Sequence, residues 1–311
     1  MYKKSSALKF VLKNKTLLKH IASKFKHVDD FSNAKSESKS VAYLFNYKFD
    51  AEKPKTFNEY LVWIKHNYRN DEWEKAADKL LSKEIIKELG LEKYLPKVYG
   101  VYKNSSEINL DKLPDKFVLK TNHDCGSVFV CEKNKTDFSK VFNLLDKSLL
   151  RKYNKNNNEW VYENIEPLIF AEELLYQNGG GELVDYKLCT YNGKYKWGFS
   201  CCNRSVDSRF VVFEGDYEMQ NVDFIYLRPK KNNYPRRPQN FSKMIELAEI
   251  IGRKFSFVRV DFFDTTDGIK IGELTFFTQS GHGPFTRKEY DEKYGSFFDD
   301  TIFYNLSHKT I

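Results

Sequence analysis

Apolar side chains in the first hundred residues are spaced as they are in helices. Between residues 5 and 26 they lie three, four or seven positions apart with lysines between them, which predicts a basic amphipathic helix. The polar run at 29–40 predicts a linker. Thr56 and Glu59 have the spacing of a capping box, so one helix is expected after Thr56 and a second over 71–89.

After residue 116 the pattern changes to short apolar runs, which predict strands. Strands are expected at 117–119, 128–131, 168–175, 186–191, 195–201, 257–263 and 269–277, and helices at 137–153 and 241–255. Asn192-Gly193, between two of these strands, is typical of a type I′ hairpin turn. Strands interleaved with helices predict a mixed fold, either α/β or α+β.

The composition indicates a folded protein with a hydrophobic core and no transmembrane helix. The chain has 311 residues, of which 41% are hydrophobic and 16% aromatic, so it can form a core. It has no run of about 18 apolar residues and no apolar leader, so neither a transmembrane helix nor a cleaved signal peptide is expected. The cysteines are odd in number and form no CxxC pair, which favours a cytoplasmic protein with reduced thiols.

The net charge of +8 is concentrated at the N-terminus. Residues 1–40 hold ten lysines and three acids, whereas the rest of the chain carries a net charge of only +1. This distribution argues against a nucleic-acid partner, which would need basic residues across the folded body. The basic segment leaves two alternatives open: docking on a membrane or partner through residues 1–28, or an ordinary helix packed on its own domain.

One predicted hairpin carries acids inside otherwise apolar strands. Asp261 and Glu273 are brought together by this hairpin, and two facing carboxylates repel each other unless a cation such as Mg²⁺ lies between them. Arg259 precedes Asp261 by two residues and Thr275 follows Glu273 by two, so the four share one face. A structural ion pair between Arg259 and either acid is the alternative.

Two weaker signals lie upstream of this hairpin. Lys120 ends a predicted strand and is followed by a loop of small polar residues, an arrangement that suits phosphate oxygens. The run at 171–175 contains Glu172 and Glu173, and its extended backbone is suited to hydrogen bonding with an adenine. Each signal is unspecific when taken alone.

In their order along the chain, these pieces resemble the ATP-grasp superfamily, and most nearly the TupA-like ATP-grasp family of surface-polysaccharide and teichuronopeptide biosynthesis. The likeness covers roughly residues 41–300. It rests on PKTFNEYLVWIK (54–65), ADKLLSKEIIKELG (77–90), LPDKFVLKTNHDCGS (113–127), FAEELL (170–175), DYKLCTYNGK (185–194) and FVRVDFF…GELTFF…G (257–281). The last block is the most specific of them.

The resemblance implies an α+β ATP-grasp fold, in which two α+β subdomains clasp ATP, preceded by a mainly helical N-terminal region. The implied domains are a basic segment and linker (1–40), a mainly helical region (41–115) and an ATP-grasp domain (116–311), divided into subdomains at 116–175 and 176–311.

The resemblance also implies roles for individual residues. The implied ATP-binding residues are Lys79, Lys120, Gly126, Ser127, Glu172, Glu173, Leu175 and Asp185. The implied ligands for one or two Mg²⁺ ions are Asp261, Glu273 and Thr275. The implied catalytic residues are Arg259 at the oxyanion, Lys187 beside the phosphates and Arg204 at a substrate carboxylate or phosphate. Thr275 stands where many members have Asn, so either a second Mg²⁺ is held less tightly or a water replaces the amide.

The implied activity is ATP-dependent ligation of a carboxylate to an amine through an acyl phosphate. The expected substrates are a small-molecule or glycan-linked carboxylate, such as a uronic acid of a bacterial surface polysaccharide, and an amine or amino acid. The expected location is cytoplasmic, with peripheral contact at the inner membrane face through residues 1–28 as a hypothesis. Three alternatives stay open: a sugar kinase on the same scaffold, a glycosyltransferase-associated protein, and a non-catalytic membrane-docking scaffold.

Overall fold

The structure is a computed structural model that describes residues 31–151, 158–203 and 207–298. The helix predicted at 5–26 and the candidate residue Arg204 lie outside these ranges. Within the described part of the chain, no helix is both long and apolar enough to cross a bilayer.

The described residues form seven α-helices and ten strands. The helices are α1 (Ala34–Val41), α2 (Phe57–Asn67), α3 (Asp71–Ala77), α4 (Leu81–Glu88), α5 (Phe138–Leu149), α6 (Phe241–Gly252) and α7 (Lys288–Gly295). The strands are β1 (Val98–Tyr102), β2 (Lys116–Thr121), β3 (Val128–Glu132), β4 (Ile169–Glu172), β5 (Asp185–Tyr191), β6 (Lys194–Cys202), β7 (Arg209–Glu214), β8 (Glu218–Met219), β9 (Phe257–Thr265) and β10 (Gly268–Thr275).

The strands form two antiparallel sheets. The first sheet has the order β1-β4-β2-β3, and the second has the order β10-β9-β5-β6-β7-β8. Antiparallel sheets combined with separate helices confirm the α+β class. The first sheet includes β1, which lies in the region predicted to be mainly helical, so this sheet begins before residue 116.

Each sheet has its own hydrophobic core. In the first, Phe117 and Leu119 of β2 pack with Leu145 of α5 in a small cluster. The opposite face of this sheet is open along its β3 edge, where Val128 and Val130 remain 52% and 65% exposed, whereas Phe170 of β4 is buried on that face. The second sheet belongs to a larger cluster that includes side chains of α2, α3, α4 and α6.

One face of the second sheet changes from aromatic to polar along its strands. At the aromatic end, Phe57 of α2 packs edge-on against Trp197, and Trp197 stacks on Tyr294 of α7 with 4.1 Å between ring centroids. Further along the strands, residues paired on this face include the charged side chains of Lys187, Arg259 and Asp261. This face is therefore core at one end and a candidate site at the other.

The prediction of a linker over 29–40 is wrong for residues 34–40, which belong to helix α1. The side chain of Asn33 caps this helix by accepting from the backbone N–H of Ser36 at 2.9 Å. Its buried face carries Glu37, which forms ion pairs with α2. Long-range charge pairing therefore fixes this helix, and the hydrophobic pattern of a local window does not contain that information.

The single helix predicted over 71–89 is two helices, α3 and α4. The chain leaves helical geometry at Asp78, whose Oδ1 accepts from the backbone N–H of Leu80 at 2.7 Å. An aspartate that binds the next free amide groups favours a new helix start over continuation of the old one. The break turns Lys79 away from both helices and toward the loop after β2.

Two local predictions are confirmed. Thr56 and Glu59 form a reciprocal capping box at the start of α2. Asn192 and Gly193, with φ of 46° and 71°, form the turn between β5 and β6 in the left-handed conformation that a type I′ turn requires.

Candidate active site

Cross-strand pairs place the charged residues of the second sheet in rows on a single face. The three rows, each written across β6, β5, β9 and β10, are Trp197–Cys189–Arg259–Thr275, Phe199–Lys187–Asp261–Glu273 and Cys201–Asp185–Phe263–Lys270. Directly paired residues lie on the same side of a sheet, and so do residues two apart on one strand. The predicted face of Arg259, Asp261, Glu273 and Thr275 is therefore present.

A β-bulge at Gly272 sets this arrangement. The pairing of β9 with β10 shifts by one residue between Ile271 and Glu273. Without the shift, Gly272 would stand opposite Asp261, and Glu273 would point to the other side of the sheet. A Cβ atom at Gly272 would lie 2.6 Å from the ring of Phe263, so this position suits glycine.

Asp261 is the centre of the charged rows. Arg259 donates to both of its carboxylate oxygens, from Nε at 2.7 Å and from Nη2 at 2.8 Å, and Lys187 Nζ also donates to Oδ2. Burial alone would raise the pKa of Asp261, but the charges of Arg259 and Lys187 outweigh it and lower the pKa to about 2. The ion pair that the sequence left as an alternative is therefore present.

Arg259 links the acids to the residues that follow β10. Its Nη2 donates to Thr275 Oγ1 at 2.9 Å and lies 3.4 Å from Glu273 Oε1, while Nη1 donates to Thr278 Oγ1 at 3.2 Å. The side chain of Glu273 is 38% exposed, in contrast to the buried Asp261. The cluster therefore opens to solvent at Glu273.

Asp261 and Glu273 are the two carboxylates of the charged rows that could hold a magnesium ion. Among the described residues there is no group of three or more His, Cys, Asp or Glu side chains arranged to hold a metal ion. Mg²⁺ is usually bound through one or two carboxylates together with substrate phosphates, so Asp261 and Glu273 form a suitable donor pair. Of the implied ligands Glu273 is the least engaged, since Thr275 Oγ1 accepts from Arg259 and both oxygens of Asp261 accept from Arg259 or Lys187.

A second charged cluster lies on the first sheet around Glu172. Lys120 Nζ lies 2.5 Å from Glu172 Oε1, and Lys83 Nζ lies 2.8 Å from Oε2. Burial alone would raise the pKa of Glu172, but the two lysines outweigh it and lower the pKa. The side chain of Glu172 was expected at the hinge, and the structure shows it bridging two ammonium groups.

Sequence reasoning missed Lys83. The structure places it on the buried side of α4 with Ile86, three residues later. A lysine on an apolar helix face needs an anionic partner, and that spacing was the available signal. Burial lowers the pKa of Lys83, with Glu172 opposing the change.

Lys79, one of the implied ATP-binding residues, contacts the loop after β2. Its Nζ donates to the backbone carbonyl of Asp124 at 2.5 Å and lies 3.4 Å from that of Asn122. It therefore binds the loop after β2 and does not reach Glu172. In the same loop Gly126 has φ of 101°, and Ser127 donates to the carboxylate of Asp124.

The segment after β4 connects the two clusters. The backbone N–H of Glu173 donates to the carbonyl of Lys97 at 2.9 Å, and its carboxylate lies 3.7 Å from Lys270 Nζ. Lys270 is on the face of the second sheet that carries Asp261. The charged rows therefore border the segment that contains Glu173 and the half-buried Leu175.

The family described as TupA-like ATPgrasp matches residues 59–299. The chain belongs to the TupA-like ATP-grasp family. No curated protein matches it.

Three solved structures resemble this TupA-like ATP-grasp chain weakly. One is an N5-carboxyaminoimidazole synthase from Aspergillus clavatus in complex with ADP and 5-aminoimidazole ribonucleotide (16% identity, TM-score 0.41, covering 67% of this chain and 46% of that one). Another is a D-alanine–D-alanine ligase from Bacillus anthracis complexed with ATP (16%, 0.40, 75% and 65%). The third is an L-amino acid ligase from Bacillus licheniformis (11%, 0.41, 79% and 49%). The chain thus spans about half to two thirds of their lengths, and likeness at this level assigns no function.

The buried carboxylate of Glu159 accepts a hydrogen bond from the loop that follows the β9–β10 hairpin. Ser280 donates to Glu159, whose side chain is almost inaccessible to solvent. Burial raises the pKa of Glu159 to about 7, with the hydrogen bond from Ser280 and the charge of Lys65 opposing the rise. This acid therefore takes up protons more readily in the folded chain than in the unfolded one.

The raised pKa predicts a pH dependence of stability. The folded state binds the proton of Glu159 up to about pH 7 and the unfolded state only to about 4.5, so the free energy of unfolding falls as pH rises between them. The loss amounts to about 3 kcal/mol. Urea unfolding of Glu159→Gln at pH 5 and pH 8 should show a smaller fall than the wild type. Burial also raises the pKa of Asp291 to about 6, which lowers the stability of both proteins in the same direction as pH rises, so the difference between the two falls reports on Glu159. An equal fall in both proteins would contradict the assignment.

Proposed function

We propose that the chain is an ATP-dependent carboxylate–amine ligase. The observation that carries the proposal is the charged face of the second sheet, where Arg259, Asp261, Glu273 and Lys187 meet in neighbouring rows. These residues are suited to stabilising phosphoryl and acyl transfer by charge, without a nucleophile from the protein. Family membership supports the same reading.

The first sheet would hold the nucleotide. Lys120 lies on the same open face as the exposed valines of β3, since Val128 is its direct cross-strand partner. An apolar strand face beside two lysines suits a purine base on one side and phosphate oxygens on the other. Backbone groups of Glu173 and Leu175 would contact the edge of the base. Gly126 and Ser127 would lie near the phosphates, and Asp185 would lie near the ribose.

The proposed ligation takes place in two steps. An oxygen of the substrate carboxylate attacks the γ-phosphorus, the bond to ADP breaks, and an acyl phosphate forms. The amine nitrogen then attacks the acyl carbon, the bond to phosphate breaks, and the amine proton passes to solvent. Arg259 would stabilise the oxyanion of the second step, and Lys187 would hold the transferred phosphoryl group.

Asp261 and Glu273 would hold magnesium together with the phosphates of ATP. When bound, the ion supplies positive charge that neutralises the phosphoryl oxygens during transfer. Because Asp261 also accepts from Arg259 and Lys187, the same carboxylate fixes the positions of both cations. Magnesium at Asp261 would share the carboxylate oxygens with these two donors.

We propose a uronic acid of a cell-surface glycan as the carboxylate and an amino acid or other amine as the nucleophile. The support is the resemblance to a family of surface-polysaccharide biosynthesis. The electrically balanced body of the chain, with a net charge of +1 after residue 40, suits small substrates better than a nucleic acid.

Purified protein with Mg²⁺ and ATP should release ADP only when an acid and an amine are both present. The screen combines glucuronate or galacturonate, free and nucleotide-linked, with the common amino acids, and mass spectrometry identifies the product. An amide with free phosphate supports ligation. A phosphorylated sugar would show a kinase, and protein that binds no ATP would reject both activities.

A further inference from the structure

The loop after β10 is held in an unfavourable backbone conformation. Gln279, Ser280 and Gly281 have φ of 48°, 59° and 75°, so three consecutive residues are left-handed and two of them are not glycine. Such residues cost about 1–3 kcal/mol each and persist only where the surroundings determine them. This loop begins at Thr278, which accepts from Arg259.

Asn58 of helix α2 contacts the C-terminal end of this loop. A Cβ atom on Gly281 would lie 2.9 Å from the carbonyl oxygen of Asn58, so the two backbones are in close contact. The side chain of Asn58 accepts from the backbone N–H of Gly283 at 3.1 Å and donates to its carbonyl at 2.8 Å. These contacts fix the loop at its C-terminal end.

Glu37 of α1 connects the same loop to α2 through charge. Its side chain is fully buried, and Lys65 donates to its Oε1. His66 Nε2 lies 2.6 Å from Oε2, and His282 Nε2 lies 2.6 Å from Oε1. A single carboxylate therefore joins three basic side chains, two on α2 and one directly after the strained loop.

Glu37 is an anion in the folded chain. Burial alone would raise its pKa, but the hydrogen bonds from His282 and His66 and the charge of Lys65 outweigh it and lower the pKa to about 2. Loss of the carboxylate would leave Lys65 buried with a more distant acid, Glu159.

The carboxylate comes from outside the part of the chain that matches the family. The match begins at residue 59, whereas α1 ends at Val41. The partners Lys65, His66 and His282 all lie inside the match. A segment outside the matched range thus completes an ionic network beside the charged rows.

We propose that Glu37 is a positioning residue: through His282 it holds the loop Thr278–Gly281 against Arg259. The proposal rests on the ligase function proposed above. The hydrogen bonds of Glu37 lead to α2 and to the loop beside Arg259, and they do not involve Lys120, Lys83 or Glu172. Its influence is on the transfer steps that use Arg259.

Glu37→Gln should lower kcat for ADP release about tenfold or more with the best acid and amine from the screen, because small displacements of catalytic groups are costly. The Kd for Mg·ATP should change less than about twofold. His282→Gln should give the same pattern, and the double variant should be no slower than the worse single one, as expected for residues that act through each other. Hydrogen exchange of the full chain should show faster exchange at residues 278–283 in Glu37→Gln.

Glu59→Gln is the matched control. Glu59 is also buried, and its carboxylate accepts from the backbone N–H groups of Asp50, Lys55 and Thr56. Within the described part of the chain it has no hydrogen bond to the loop. It should lower Tm while kcat and loop exchange stay near wild type. If both variants change kcat equally, or if Glu37→Gln changes neither kcat nor exchange, Glu37 is only a structural anchor. If Glu37→Gln does not fold, His282→Gln decides the question by the same measurements.

The two proposals fail separately. A wild type that releases no ADP with any acid and amine pair rejects the ligase function, whereas the exchange measurement still decides whether Glu37 holds the loop. A wild type with ligase activity and a Glu37→Gln variant with unchanged kcat rejects the positioning role alone.

Discussion

Asp261→Asn should abolish most ATP-dependent turnover, with kcat reduced roughly a hundredfold to a thousandfold. The carboxylate neutralises Arg259 and Lys187 and is one of two acids suited to magnesium, and asparagine keeps its size but loses its charge. Removing one partner of a buried ion pair also costs about 3–5 kcal/mol, so Tm should fall. Initial rates of ADP release and urea unfolding measure the two effects.

Asp264→Asn is the control for this substitution. Asp264 is buried on the same strand, but it is three residues away and therefore faces the other side of the sheet. Burial raises its pKa, so a neutral side chain is a smaller change there. Its kcat should remain close to wild type. Near-normal turnover in Asp261→Asn would remove this residue from the proposed chemistry.

Lys120→Met should weaken ATP binding about tenfold to a hundredfold, the range expected for a lost hydrogen bond to a charged group. Lys120 points to the open apolar face of the first sheet and is held there by Glu172. Lys83→Met should also weaken binding, because Lys83 shares that carboxylate. Isothermal titration with Mg·ATP gives the Kd of each variant.

Lys79→Met provides the comparison. It is chemically the same change, four residues before Lys83, but Lys79 binds backbone carbonyls of the loop after β2. The expected order of effect on Kd is Lys120, then Lys83, then Lys79. A larger effect at Lys79 than at Lys83 would favour the role that family resemblance implied over the contacts in the structure.

The charged face of the second sheet was predictable because it depends on local rules. Alternation with a period of two and one short turn bring Asp261 and Glu273 within one residue of direct pairing, and the bulge at Gly272 supplies the remaining shift. The bulge also leaves a trace, since the apolar positions of β10 change phase between Ile271 and Leu274. Reading that change would have located Gly272 as the extra residue.

The parts that were missed depend on contacts between distant segments. Glu37 and His282 are 245 positions apart, and neither lies in a pattern that indicates a partner. Lys83 and Glu172 are similarly remote, so the local pattern of each segment indicates a buried charge but not its partner. Hydrophobic periodicity indicates which side chains are buried and not which distant segment they meet.

Two separate cores have a thermodynamic consequence for the molecule. The small cluster around Phe117 and the large one around Trp197 share no side chain, so we expect each sheet to melt as its own cooperative unit. A ligand that contacts both sheets stabilises each by the same binding free energy and couples their melting. A nucleotide bound to both sheets would therefore make the two units unfold together.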